Sequence, residues 1–302
     1  MLNKTKTLEL LGARINVEKI WGCPCGSFGP KCNNDCKNII SFEKLFEEAF
    51  FLINDFYVKL LNSSELKFWH DILKHLFFVN EHYSPAKTTI VQGTKIYRAR
   101  NNFPLEKIVN IPPFLGLDAK ESFVPPRKAV KTMRANVAYH PVLYAASDET
   151  TAFYELRPDK NDIINLCTIE TNRDLKLFNL CVKAKQLKIG ELSQHSLLPI
   201  VVRALVGALF SEPAGTGDIV EEYIVTQSIA EYMQNIHTKY TPIYESTRHI
   251  ESLKVPYDGI CYNSQFSDGI NYCIFNYDAC KPTASRLVQV SDISFSEYNP
   301  EI

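Results

Sequence analysis

The chain has 302 residues, 45% hydrophobic and 22% charged, with a formal net charge of −1. This is globular composition, long enough for one large domain or two modest ones. The near-neutral balance predicts no direct nucleic-acid contact, which needs a basic excess on one face. Sixteen prolines and fifteen tyrosines, without a fixed period, exclude a helical repeat array. The longest apolar run, Leu197 to Phe210, is interrupted by Pro199 and Arg203. It falls short of the roughly 20 residues of a membrane helix, so no membrane partner is expected. Residues 1–21 show no long apolar core and no small-residue cleavage site, which predicts no signal peptide. Cys167, Cys181, Cys261, Cys273 and Cys280 lie in apolar or mixed stretches, as reduced thiols do. A cytoplasmic location is expected.

Residues 1–40 are polar and turn-rich and contain CPCGSFGPKCNNDC, with Cys23, Cys25, Cys32 and Cys36. Thiolates at this density, among glycine and asparagine, suit a structural zinc ion. The spacing lacks paired C-x2-C knuckles, and four free thiols or disulfides fit it equally. From Phe42, Leu45, Phe46, Ala49, Ile53, Phe56 and Leu60 recur at helical steps until Asn62-Ser63-Ser64. A second helix is expected over 65–78. His70 and His75 are five apart, which puts them off a common helical face. This Cys-rich and helical-hairpin segment, residues 1–87, reads as an N-terminal accessory region.

Residues 88–302 read as a mixed α+β domain with several short strands. TTIVQGTKIYRARN is strand, turn, strand, with Ile96 and Arg98 on one face and Tyr97 on the other. Residues 101–133 are proline-rich and irregular. VLYAA is a short buried strand, and Ser147 or Asp148 caps the helix that follows. IINLCTIE and LKLFNL are expected to form a strand pair joined by a polar turn, Thr171 to Asp174. Helices are expected over 197–210 and from Thr226. YDGICYNSQFSDGINYCIFN reads as strand, polar loop, strand. The elements do not alternate regularly enough for a doubly wound parallel sheet.

One stretch concentrates chemistry. Tyr144 shares a strand face with Val142 and Ala146, and Glu155 shares a helix face with Thr151 and Ala152. Arg134 enters the same strand. A strand-to-helix turn can thus bring Arg134, Tyr144 and Glu155 to one cleft. Each alone also reads as a surface cation, a core aromatic or a solvated helix residue.

Further residues carry a family resemblance. They are Tyr97-Arg98, Arg134 with Asn136, Pro141-Val142-Leu143-Tyr144, Ala152 with Glu155, and Thr226-Gln227. Asp258-Gly259 with Tyr262 and Ser264, then Gly269 with Asn271 and Phe275, complete the set. Over about residues 94–276 their order and local spacing resemble the RES domain, the toxin half of RES–Xre toxin–antitoxin systems. Residues 1–87 lie outside it and resemble the extensions of longer members. The family's glycines before the Arg and before the Pro are Met133 and His140 here, so a differently shaped loop is expected.

The resemblance implies an ADP-ribosyltransferase-like mixed-sheet core and NAD as substrate, cleaved at its nicotinamide–ribose bond. ADP-ribose would pass to water or phosphate, a glycohydrolase or phosphorylase reaction that depletes cellular NAD. It assigns catalysis to Arg134, Tyr144, Glu155 and Ser264, and NAD contacts to Tyr97, Arg98, Asn136, Gln227 and Asn271. The residue types suit this. Guanidinium groups fork onto a diphosphate, a tyrosine face stacks on cationic nicotinamide, and a carboxylate stabilises an oxocarbenium-like ribose. The Ser264 hydroxyl is read as orienting, because no His base accompanies it. The implied partner is a separate Xre-type antitoxin, since no helix-turn-helix segment is evident. Self-association as a homo-oligomer stays open. Two alternatives are a protein ADP-ribosyltransferase and a zinc-stabilised interaction module without catalysis.

Overall fold

A computed structural model of the chain describes residues 42–62, 76, 87–100, 116–181, 194–212, 219–235 and 257–291. Cys23, Cys25, Cys32, Cys36, His70 and His75 lie outside the described residues, as does the helix expected over 65–78 apart from Leu76. In chain order the elements are α1 (Phe42–Asn62), β1 (Lys87–Ile90), β2 (Lys95–Arg100), α2 (Ala119–Ser122), β3 (Leu143–Ala146) and α3 (Glu149–Leu156). Next come β4 (Ile163–Thr171), β5 (Leu175–Asn179), α4 (Gln194–Ser211), α5 (Ile219–Asn235), β6 (Gly259–Asn263), β7 (Ile270–Ile274) and β8 (Cys280–Gln289). The fold is α+β, built on one eight-stranded sheet of order β1-β5-β6-β7-β3-β2-β4-β8. Among the described strands only β5 and β6 run parallel.

The sheet bends because two of its ladders are one. Lys87 to Ile90 pair with Phe178 to Leu175, and Lys95 to Arg100 continue in step opposite Glu170 to Asn165. Between them the 91–94 turn sits on the 171–174 turn. Gly93 N donates to Thr171 O (2.9 Å), the Thr171 hydroxyl to Val91 O (2.8 Å), and Gln92 N to Asp174 Oδ1 (2.8 Å). Gly93 has φ +79°, a left-handed value that favours glycine. The expected pairing of IINLCTIE with LKLFNL is therefore corrected. Their polar turn is spent on the facing turn, and each strand pairs across to β2 or β1.

Two further differences have local causes. The segment after Gly116 is not irregular throughout: α2 has a capping box, with Asp118 Oδ1 accepting from Glu121 N (2.7 Å) and Glu121 Oε2 from Asp118 N (3.1 Å). Strand β8 has little apolar alternation because it is an edge strand on β4. Its Pro282 falls where the register shifts, between Thr168 and Ile169.

Alternation along the strands separates two cores. Ile96, Leu143, Ala145, Cys167, Leu177 and Ile274 point into the inside of the bent sheet. The other face, with Phe178, Ile260, Tyr262 and Cys273, packs under α1, α4 and α5. Helix α4 is buried all round from Ile200 to Ser211, as expected of a helix apolar on every side. Helix α1 covers it with Phe46, Ala49, Ile53 and Phe56, the stripe expected from the spacing. Helix α3 lies on the same side, over Ala146 and Leu166. Tyr144, two residues before Ala146, thus falls between α3 and the α4–α5 layer.

Asp258-Gly259 has a structural explanation. The Asp258 carboxylate accepts from Arg173 Nη1 (2.9 Å) and Nη2 (2.6 Å), Lys176 N (2.9 Å) and Asn276 Nδ2 (3.3 Å), which joins the starts of β5 and β6 to the end of β7. A Cβ on Gly259 would strike the Cys273 carbonyl oxygen. Burial pushes the Asp258 carboxyl up, but the Arg173, Lys176 and Asn276 donors outweigh it and hold it below the usual range. A depressed carboxyl contributes stability above its unfolded value, and that contribution is lost as pH falls through the folded value. Arg173 is half exposed, so its charge is screened. Asp258→Ala is expected to cost about 2 kcal/mol at neutral pH. In urea titrations the difference from wild type should shrink below about pH 4. A difference constant down to pH 2 would contradict this account.

Candidate active site

Strand β3 sends Leu143 and Ala145 into the inner core and Tyr144 toward the helices. The Tyr144 hydroxyl donates to Asn136 Oδ1 (2.7 Å) and accepts from Ala135 N (3.0 Å). Asn136 is buried, and its amide nitrogen donates to Lys131 O (2.9 Å) and Val137 O (3.0 Å). From α5, Gln227 Nε2 donates to Met133 O (2.8 Å) and Asn136 O (3.2 Å). Met133 and Asn136 also exchange backbone hydrogen bonds, and Tyr139 takes a left-handed φ of 66°. The loop leading into β3 is therefore tied on itself, around Asn136, with Tyr144 as its inner anchor.

Arg134 projects from this loop. Its Nη2 donates to Glu212 O, just past the C-terminus of α4, where the helix dipole favours a cation. Its guanidinium also lies over the Tyr223 ring, 5.9 Å from the centroid. Arg98 arrives differently. Strands β2 and β3 pair only at Tyr97–Ala146 and then part, and Arg98 Nη1 donates to the Tyr144 carbonyl across the split (3.3 Å). By alternation Arg98 lies with Ile96 on the face opposite Tyr97. Burial lowers its pKa to about 10, with Arg100 adding to the effect, so it stays charged at neutral pH. The Nε groups of Arg98 and Arg134 are buried without a hydrogen-bond partner among the described residues.

Helix α3 carries the carboxylate. Asp148 caps it, resolving the choice between Ser147 and Asp148, and Arg157 ends it in the left-handed region at φ 48°. Thr151 and Ala152 are buried against the sheet, and Glu155 follows on the same face. Its Oε1 accepts from the Ser264 hydroxyl (2.6 Å) and from Asn271 Nδ2 (2.7 Å). Asn271 stands opposite Ala146 in the β3–β7 ladder, beneath the helix, and Ser264 follows directly on β6. No described residue donates to Oε2. The Ser264 oxygen itself accepts from Phe266 N (3.1 Å), so its proton is committed to Glu155.

Tyr262 and Cys273 form the floor between these groups. Burial pushes the Cys273 thiol up to about 12; the Tyr262 hydroxyl and Arg134 pull it down, and Glu155 pushes it up. Burial likewise holds Tyr262 and Tyr144 far above the usual phenol range. The floor is therefore neutral at physiological pH, and the charges of Arg134 and Glu155 act across it.

The expected residues form two polar clusters on one sheet face. Arg134, Asn136, Tyr144 and Gln227 make one, and Glu155, Ser264 and Asn271 the other. Arg98 reaches them through the split. Tyr97 packs half-buried beside Ala146, Ala152 and Leu166. Asn271, expected as an NAD contact, is buried and spends its amide on Glu155. Tyr262 carries part of the family resemblance but was given no role in the site, and Cys273 was not expected there; its only sequence signal is alternation with Asn271. Among the described residues no group of three His, Cys, Asp or Glu side chains is placed to hold a metal. No described helix is long and apolar enough to cross a membrane.

The profile of the RES domain matches residues 113–296, more than half of the chain, and the chain belongs to that family. Among solved structures it is similar to a chain in the crystal structure of the M. tuberculosis MbcT–MbcA toxin–antitoxin complex. Identity is 11%, the match covers 67% of this chain and 87% of that one, and the TM-score is 0.31. None of the curated proteins matches.

Proposed function

We propose that this RES-family chain is an NAD-cleaving enzyme and the toxin of a toxin–antitoxin pair, held in check by a separate Xre-type protein. The observation that carries this reading is Glu155. Its carboxylate is fixed through one oxygen by Ser264 and Asn271, and no described residue donates to the other. In the reaction the C1′–N bond to nicotinamide breaks, and its electron pair leaves with the ring as neutral nicotinamide. The ribose is left cationic at C1′. A preoriented carboxylate stabilises that cation and accepts from a ribose hydroxyl. Water or phosphate oxygen then bonds to C1′; with water, the surplus proton goes to solvent.

The arginines support the same reading. A guanidinium forks onto a diphosphate by charge-assisted bonds; Arg134 stands on the loop that Tyr144 anchors, and Arg98 reaches the Tyr144 carbonyl. The Tyr144 hydroxyl is already saturated by Asn136 and Ala135, so its ring face, rather than its proton, is what it offers nicotinamide.

Product analysis tests the acceptor. With NAD labelled in the adenine, free ADP-ribose in buffer identifies hydrolysis. Conversion to the 1-phosphate only when phosphate is added identifies phosphorolysis. Label retained on protein after denaturation would instead favour a protein ADP-ribosyltransferase. An unconsumed NAD pool would end the enzyme reading.

A further inference from the structure

The Glu155–Ser264 pair depends on the 264–270 segment, the loop between β6 and β7 with the first residue of β7, and that segment is seated on the corner between β3 and α3. Ser264 N donates to Gly269 O (2.9 Å), closing the loop. Three bonds join it to the corner. Ser147 N donates to Ile270 O (2.9 Å), Ile270 N to Ser147 Oγ (3.0 Å), and the Ser267 and Thr151 hydroxyls lie 2.8 Å apart. The Ser147 and Thr151 side chains converge on Asp148. Its Oδ2 accepts from the hydroxyls of Ser147 (2.7 Å) and Thr151 (2.7 Å), and its Oδ1 from Thr151 N (2.8 Å).

The direction of these bonds is determined by charge. An ionised carboxylate only accepts, so Ser147 and Thr151 must turn their hydrogens toward it. Their oxygens are then free to accept, and the loop supplies the donors: Ile270 N–H to Ser147 and Ser267 O–H to Thr151. Ser267 in turn accepts from Gly269 N (3.2 Å). Burial pushes the Asp148 carboxyl up, but the three donors outweigh it and hold it below the usual range, so it is ionised at neutral pH. The fit is close. A Cβ on Gly269 would strike Thr151 Oγ1 and come within 2.5 Å of Asp148 Oδ2.

We infer that Asp148 is a positioning residue for NAD cleavage: through Ser147, Thr151 and Ser267 it holds the 264–270 loop so that Ser264 meets Glu155. The catalytic part of this inference rests on the proposed function; the seating of the loop does not. Asp148→Asn separates the two roles of the side chain. The asparagine oxygen still caps α3 through Thr151 N. Its NH2 group replaces Oδ2 and cannot accept, so the Ser147 and Thr151 hydroxyls lose the acceptor that turns their hydrogens away from Ile270 N–H and Ser267.

The test combines a kinetic cycle with amide exchange. Asp148→Asn should lower kcat for nicotinamide release by about 10- to 100-fold, with KM for NAD changed by less than about twofold. In Ser264→Ala the same substitution should add less than about twofold, because it acts through Ser264. Amides 264–270 should lose protection in Asp148→Asn while those of β4 keep it, and Gly269→Ala should do the same from the loop side. An unchanged kcat, or a double variant that falls by the product of the single effects, would overturn the catalytic role. Unchanged exchange over 264–270 in both variants would overturn the seating. Failure of wild type to cleave NAD would sink the proposed function and the catalytic role together; the exchange result would still decide the seating.

Discussion

Glu155→Gln is expected to lower the turnover of NAD by about 100- to 1000-fold, the scale seen when one preorganised electrostatic group is removed. Glutamine keeps the shape of the side chain, and its oxygen can still accept from Ser264 and Asn271. It loses the negative charge and turns the second oxygen, the acceptor for a ribose hydroxyl, into an NH2 donor, so an effect of this size would come from the carboxylate itself. Binding should suffer little, because the charge matters most once the ribose becomes cationic, and kcat should fall without a comparable rise in KM. The thermal midpoint should stay close to wild type, since the two hydrogen bonds to Oε1 persist. Steady-state kinetics beside a melting curve checks both. A variant that keeps a third of wild-type turnover would remove Glu155 from the chemistry.

Removal of residues 1–86 is expected to abolish cooperative unfolding of the remainder. The reason lies in the packing. Phe46, Ala49, Ile53 and Phe56 are buried in the same core as Val202, Val206 and Phe210. Arg203, 1% exposed on α4, donates from Nη2 to the Leu76 carbonyl (2.8 Å), an acceptor that the truncation deletes. The single change Phe46→Ala should cost about 3–5 kcal/mol, the range for a buried phenylalanine that leaves a cavity. Urea denaturation of full-length and truncated protein reads the difference. If the truncated chain unfolds cooperatively at the full-length midpoint, α1 contributes nothing to the RES-domain core.

The parts of this fold that were legible are those written in local period and local chemistry. The α1 stripe, the alternation that separates Tyr97 from Arg98, and the turn into α3 are all set within a few residues of themselves. Pairing partners are not. Leu175 to Asn179 look like the return strand of a hairpin with β4, and only the facing 91–94 turn, about 80 residues away, shows that the ladder bends instead. Strand β8 escaped because an edge strand with Pro282 and exposed polar residues loses the pattern that betrays buried strands.

The site divides the same way. Glu155 could be placed on its helix face from Thr151 and Ala152 alone. That its carboxylate is held by Ser264 and Asn271, 109 and 116 positions on, depends on β7 lying beside β3. The family resemblance supplied Ser264 before the geometry did. It did not indicate that Asn271 serves the carboxylate, or that Arg98 enters through a split between strands rather than from the face that carries Glu155.

The most direct test of the central claim is nicotinamide release from NAD, followed by chromatography, with purified full-length protein freed of any bound partner and the Glu155→Gln variant beside it. The account predicts steady release by the wild type and release by the variant reduced at least about a hundredfold. Equal release by both, or none by either from folded protein, would contradict it.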